Sequence, residues 1–379
     1  MRTPAPALAE KANPVAAHAM ALAGAAAYHG SSHLTRPART MVKPSPQAPH
    51  ATRAAHIKQV AEAAGAALRQ RHPILRHQDA IGAGILAIAL LGMLASGWLY
   101  LQGSWPAWLT IVATAMFASL THELEHDLIH KMYFRKTPWA HNLMMGLVWL
   151  ARPSTVNPWV RRELHFHHHK TSGQPVDLEE RAITNGEPWG LRRLLMLGDN
   201  ALSVLLRAHR APSMLNILKR SFMAYFPLGV VFWASWHAFL VFHAVDAVAA
   251  ALGSPIAWSA NTLSFMHTLG AWVVVLIAPN VLRSFCLHFV SSNMHYHGDV
   301  EAGNQIEECQ VLDSWLMLPF HLFCFNFGST HAIHHFLVKE PFYVRQMTAS
   351  QVKPVMREMG VRFNDFGTFT RANRLGVAA

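Results

Sequence analysis

The sequence predicts an all-α integral membrane protein, with four transmembrane helices and a cytoplasmic helical cap that carries groups of histidines. Three observations predict it. Of 379 residues, 52% are apolar and only 14% are charged, where soluble domains carry roughly 25% charged residues. Four segments approach the ~20 mainly apolar residues that cross a bilayer. Of the 26 histidines, seven lie in the N-terminal tail, and most of the other nineteen fall in short groups on one side of the implied topology. This composition excludes a plain soluble enzyme and also a disordered chain, which needs high charge and few apolar groups. Three scattered cysteines, Cys286, Cys309 and Cys324, are too few for a disulfide scaffold or a four-cysteine metal site.

Residues 1–75 are rich in Ala, Pro, His and Arg and poor in acid. They read as a disordered tail, with 56–70 able to form an amphipathic helix at the membrane interface. An Arg-rich, acid-poor start also resembles a targeting peptide, but the chain lacks the apolar core of a secretory signal. Ile81–Leu101 is the first span and contains no charge. Pro106 to about Thr121 is the second, continuing as helix through His122–His126, and the short linker Gly103-Ser104-Trp105 makes the two a tight hairpin. Phe222–Val245 and Thr262–Leu282 are the third and fourth. Leu143–Ala151 and Trp315–Phe327 are apolar but short or interrupted, and read as interfacial or re-entrant pieces.

Basic residues set the orientation. Residues 2–76, 127–221 and 283–379 hold ten, fourteen and eight Lys or Arg, which is all 32, and loops 102–105 and 246–261 hold none. The positive-inside rule then places both termini and the long central segment in the cytoplasm, in the inner membrane if the source is bacterial. Buried core helices of a soluble protein would not segregate charge so completely. The net charge of +11 does not describe a nucleic-acid groove, because residues 1–80 carry most of it and the body shows no interleaved basic and aromatic surface.

Four histidine groups lie on the cytoplasmic side: His122-Glu-Leu-Glu-His126 with His130 beyond it, His165-Phe-His167-His168-His169, Asn293-Met-His295-Tyr-His297-Gly298, and His331-Ala-Ile-His334-His335. Residues i and i+4 share a helical face, so His122 and His126 can bind one metal and His130 extends the stripe. In HxxHH the first histidine faces with the third or fourth while its neighbour points about 100° away, so one such box can serve two adjacent metals. Imidazole suits iron, zinc, copper and nickel. About nine imidazoles are far more than one tetrahedral zinc requires. His130 and His167 lie off the minimal pattern and read as outer or solvated groups. His237, His243 and His267 fall inside spans, with the last two toward the far end as interfacial residues. His288, seven residues before His295, can share its face.

HxxxH at 122–126 and HxxHH at 165–169 and 331–335, on four spans, resemble the integral-membrane fatty acid desaturase superfamily, whose relatives include alkane hydroxylases, sterol-type hydroxylases and decarboxylases that form terminal alkenes. The resemblance covers roughly residues 76–345. It implies a non-haem di-iron oxidase that uses O2 to abstract hydrogen from an unactivated C–H bond of a fatty acyl or alkyl chain. Carried over by position, the ligands of the two irons are His122, His126, His165, His168, His169, His331, His334 and His335, with His295 as a ninth. The last resembles the additional histidine motif of alkane hydroxylases, but His297 separates Tyr296 from Gly298, so His295 is the preferred ligand and His297 the alternative. Desaturation is the family default; hydroxylation or oxidative decarboxylation is the alternative, toward which the His295 motif leans.

Bound imidazoles need outer acceptors, and Glu123, Glu125, Asp127, Glu163 and Asp299 lie near the boxes. Arg161, Arg162 and Lys170 flank the second box, as membrane anchors or as a seat for a carboxylate, a phosphopantetheine head group or an acidic redox protein. No haem, rubredoxin-like CxxC or dinucleotide signature is present in the sequence. The resemblance therefore implies a separate electron donor with its reductase: a ferredoxin, a rubredoxin or a cytochrome b5. The expected organisation is a tail over 1–75, a membrane di-iron oxidase domain over 76–345 and a cytoplasmic appendage over 346–379. His122-Glu123-Leu-Glu-His126 also matches HExxH, so an intramembrane zinc metalloprotease is a second function class, and a metal transporter is a third. Six or more further histidines serve no purpose in the protease, and transport sites lie near the bilayer midplane.

Overall fold

The computed structural model describes residues 43–184, 186–208 and 213–376. Among the described residues it is all-helical; the only β pairing is two isolated bridges, His295 with Cys309 and Val311 with Phe363. Residues 1–42 of the expected tail lie outside the described residues. Within residues 43–75, a helix spans the stretch where one was expected, 56–70. Helix α1, His50–Arg71, begins a compact unit that starts at Lys43. Ala54, Ile57, Ala61 and Ala64 recur at helical spacing and enter the main core with Val352, Met356 and Met359. Small side chains along this stripe let α1 pack closely on the C-terminal helix, and Arg69 pairs with Glu340.

Helices α2, Gln78–Leu101, and α3, Ala107–Ile129, form the expected hairpin. Gly103 turns the chain at φ +72°, a left-handed conformation that glycine adopts without Cβ strain. α4 follows as Pro138–Ala151 and α5 as Pro158–Thr171. Proline opens both helices, where its missing N–H costs nothing. Asn157 caps α5 by accepting from Trp159 N at 3.0 Å. Short helices α6 (Leu178–Ala182), α7 (Leu191–Gly198), α8 (Asn200–Ala208) and α9 (Met214–Tyr225) lead to α10, Leu228–Ala251. The third span was expected from Phe222, but the chain breaks at Phe226-Pro227, because a residue before proline is driven to extended backbone. Phe226 has φ −69° and ψ 141°.

α11 runs over Ala260–Met294 with a π-helical segment at Val273–Ile277. This segment stands just before Pro279, which has no N–H to continue the regular ladder. α2, α10 and α11 are long and apolar enough to cross a membrane. Outward residues such as Leu91, Leu94, Trp98, Val231, Val241 and Val248 are exposed, an apolar surface suited to lipid.

The last helices are α12 (Leu318–Cys324), α13 (Phe327–Phe336) and α14 (Phe342–Glu358). Between α12 and α13, Phe325 and Asn326 both take left-handed backbone, at φ 47° and 59°. For a bulky phenylalanine this is strained, and it sets the direction in which α13 leaves. Gly328 lets α13 pass its neighbours: a Cβ there would lie 2.6 Å from Val290 Cγ1 and 2.8 Å from the His321 ring. Residues 346–376 pack against the main core. Val352, Met356, Met359 and Val361 belong to the main core, and Asn373 Nδ2 donates to His295 O at 3.1 Å.

Candidate metal centre

The end of α3, the body of α5, the end of α11 and the whole of α13 converge, and each brings histidines. Two groups result: His126, His130, His165 and His334, and His168, His295 and His335, with ligand atoms in each group within 4.8 Å of one another. His169 joins the first group through Nε2, which lies 3.0 Å from His334 Nε2, 3.2 Å from His165 Nε2 and 3.3 Å from His130 Nε2. His130 and His165 are 2.9 Å apart, Nε2 to Nε2. Such spacings match edges of a coordination polyhedron with metal–nitrogen bonds of ~2.1 Å. The His331 ring stands 5.1 to 5.2 Å from those of His126, His295 and His335, between the groups.

Carboxylates behind the rings fix which nitrogen faces inward. His165 Nδ1 donates to Glu179 Oε2 and His168 Nδ1 to Asp177 Oδ2, both at 2.7 Å. His335 Nδ1 is 3.1 Å from Glu308 Oε2, and His295 Nδ1 is 3.3 Å from Glu180 Oε1. These bonds leave Nε2 free to bind a metal. Three of the four acids come from the turn into α6, where Asp177 Oδ1 also caps the helix by accepting from Glu179 N at 3.1 Å and Glu180 N at 3.2 Å.

Burial holds His331, His334 and His335 well below the usual imidazole range, and so neutral. For His168 burial also lowers the value, but the Asp177 carboxylate outweighs it and the ring is pushed up to about 9. For Glu179 burial raises the value, while His165 and Arg161 outweigh it and keep the acid ionised. Burial pushes Glu308 up to about 7.

The donor set fits metal ions. His126 Nε2, His295 Nε2 and His335 Nε2 are buried without a hydrogen-bond partner, an expensive state for a polar atom unless something else engages it.

His122 stands apart. Its Nδ1 lies 3.4 Å from Arg152 Nη1, and its Nε2, like those of His126, His295 and His335, is buried without a hydrogen-bond partner. Its ring packs on Phe327. His130, read from the sequence as an outer or solvated group, is inside the first group. His167 is turned away, with Nε2 3.1 Å from Val176 O. His297 joins neither group; its ring lies against Gly186 and its backbone N–H bonds to Asn373 O. His288 Nδ1 is 3.2 Å from Leu197 O.

The acids singled out from the sequence serve other ends. Glu123 and Asp127 face Arg345 at 3.4 and 3.3 Å. Glu125 pairs with Arg152 and with Arg161. Glu163 is exposed, and Asp299 accepts from Leu375 N and Gly376 N. Of the flanking bases, Arg161 also reaches Glu179, Arg162 Nη2 lies 2.7 Å from His141 Nε2, and Lys170 is exposed. The signal that could have found the true acids is the cap Asp177-Leu-Glu179-Glu180, nine residues beyond His168.

No curated protein matches the chain. The family model for fatty acid desaturase matches residues 103–367, more than half of the sequence and every helix that supplies a histidine to the two groups. The chain therefore belongs to the fatty acid desaturase family, within the membrane desaturase superfamily.

Proposed function

We propose that this protein is an O2-dependent non-haem di-iron membrane oxidase that abstracts hydrogen from an unactivated C–H bond of a fatty acyl or alkyl chain. The observation that carries the reading is the pair of adjacent histidine groups with carboxylates behind them. His126, His130, His165, His169 and His334 would hold one iron, and His168, His295, His331 and His335 the other. When bound, iron supplies the O2-derived oxidant that an unactivated C–H bond requires.

The chain's own part is positioning. Asp177 and Glu179 hold the Nδ1 protons of His168 and His165. An apolar cavity of about 470 Å³ beside α3, lined by Ala113, Met116, Phe117, Leu120, Leu318 and Leu322 among others, suits an alkyl chain.

α3 acts as a fourth span beside α2, α10 and α11, with both termini and the histidines cytoplasmic, as the distribution of basic residues supports. Exposed Lys131, Arg135, Lys136 and Lys170 suit an acidic electron donor of ferredoxin, rubredoxin or cytochrome b5 type. The protease reading is weakened by Glu123, whose carboxylate faces Arg345 and is not a free general base.

Desaturation is the family default, with hydroxylation and oxidative decarboxylation as the alternatives. Gas chromatography–mass spectrometry of lipids and headspace from expressing cells, beside a His168→Ala control, tests the function. An internal alkene means desaturase, an alcohol means hydroxylase, and a terminal alkene one carbon shorter than a fatty acid means decarboxylase. No difference from the control contradicts the oxidase reading. Asp177→Asn keeps the helix cap, since Asn caps as well as Asp, but removes the charge behind His168. Its expected effect is a ~10- to 100-fold loss of iron affinity, measured by chelator competition.

A further inference from the structure

A helix leaves its last carbonyls without partners in its own ladder. At the end of α11 these are Ser292 O, Asn293 O and Met294 O. No glycine follows directly to fold the chain back over them, since His295 and Tyr296 come next. The partners arrive from segments far along the chain. Ser292 O accepts from Arg193 Nη2 at 2.9 Å, Asn293 O from Gln310 Nε2 at 2.8 Å, and Met294 O from Gln310 N at 2.8 Å. The helix stops there, and His295 turns into extended backbone at φ −89° and ψ 129°. This turn sends its ring to those of His168, His331 and His335, with centres 5.2 to 5.4 Å away.

Arg193, on α7, and Asn373, beyond α14, hold that turn, and both are fully buried. Arg193 Nη1 donates to Glu187 O at 3.1 Å, and Nη2 also lies 3.1 Å from Ser292 Oγ. Burial lowers Arg193 to about 10, so it stays charged at neutral pH, and a cation at a helix C-terminus is favourable. Asn373 carries the contact on to the histidine. Its Oδ1 accepts from Arg193 Nη2 at 2.5 Å, its Nδ2 donates to His295 O at 3.1 Å, and its backbone O accepts from His297 N at 2.9 Å. A guanidinium only donates and a carbonyl only accepts, so the Asn373 amide has one possible orientation. Asn373 stands at φ 64°, a left-handed conformation that Asn and Asp tolerate better than most side chains.

We propose that Arg193 and Asn373 are positioning residues that together hold His295 at the second histidine group. The proposal deepens the di-iron reading and rests on it for the role of His295. His168 and His335 sit within α5 and α13, whereas His295 lies just past the end of its helix, so it is the member of the group that a helix does not hold. The bonds from Arg193 and Asn373 reach the backbone of 292–297 and none of His126, His130, His165, His169 and His334. The pair therefore acts on one metal group and leaves the other alone.

Asn373→Asp separates positioning from stability. Beside a guanidinium an aspartate stays ionised, so it keeps the bond to Arg193 but cannot donate to His295 O. The melting temperature of the metal-free protein is expected to stay close to wild type, because the gained ion pair offsets the lost donor. When the full-length protein is titrated with Fe(II) against a chelator, one of the two irons is expected to bind ~10-fold or more weakly, with the other unchanged. In the metal-free protein, amide hydrogen exchange in peptides covering 292–297 is expected to quicken roughly fivefold or more, the scale of one buried acceptor left unpaired, with 122–130 unchanged. Arg193→Met is expected to give the same selective pattern with a lower melting temperature, since Ser292 O then loses its partner too. Selective weakening of one iron in Asn373→Asp supports the proposal at any melting temperature. Wild-type affinity for both irons overturns it, and so does equal weakening of both, since the pair is then structural only. A wild-type chain that holds fewer than two irons retires the di-iron reading instead. Exchange then decides whether Arg193 and Asn373 hold the His295 turn, and an unchanged rate over 292–297 overturns that.

Discussion

Replacing His334 with alanine is expected to abolish turnover and to lower bound iron from about two per chain to about one, because a ligand set that loses an imidazole no longer holds its ion. His334 Nε2 is 3.0 Å from His169 Nε2, and its ring is 4.2 Å from that of His126, so it completes the first group from the opposite helix. Substituting it leaves the second group, His168, His295 and His335, intact. The residual iron should therefore sit there, and the protein should remain in the membrane fraction. His297→Ala is the matched control, since His297 touches neither group. It should keep both irons and most of its activity. Iron by mass spectrometry and product by gas chromatography, measured on both variants, check the pair. Full activity in His334→Ala would contradict the ligand assignment.

The largest stability effect is expected from Glu125→Ala. Glu125 has no solvent exposure, and its carboxylate pairs with the equally buried Arg152 and with Arg161. Removing it strands the Arg152 guanidinium, and breaking a buried pair from one side costs about 3–5 kcal/mol. The double variant Glu125→Ala/Arg152→Met removes both charges and should recover most of the loss, since an apolar replacement of the whole pair is often neutral. Glu163→Ala, at an exposed position two residues before His165, should change stability by no more than ~0.5 kcal/mol. Thermal unfolding of the detergent-purified variants checks the order. Equal melting of Glu125→Ala and Glu163→Ala would show that Arg152 finds another partner.

Much of this was legible in the sequence because it is written in short-range spacing. The apolar runs at 81–101 and 262–282 lie within α2 and α11, and HxxHH at 165–169 places His165, His168 and His169 toward the metal groups while turning His167 outward.

What the sequence did not show depends on neighbours distant in the chain. Two HxxxH pairs overlap on α3, His122/His126 and His126/His130, and helical periodicity alone treats them alike. The structure separates them: α5 brings His165 to His130, while His122 lies beside Arg152, from the end of α4. The acids behind the histidines were sought beside the boxes, yet Asp177, Glu179 and Glu180 arrive from a later turn and Glu308 from a loop after α11. The core role of α1 was hidden because its buried stripe is mostly alanine, which reads as tail composition until α14 is there to receive it.

The measurement that tests the central claim most directly is the metal content of the purified wild-type chain, expressed in iron-replete medium and quantified against protein by inductively coupled plasma mass spectrometry. The proposed di-iron oxidase, with its two histidine groups, predicts about two irons per chain and little zinc. One zinc per chain and no iron would contradict the di-iron account and return the His122–His126 segment to the metalloprotease reading.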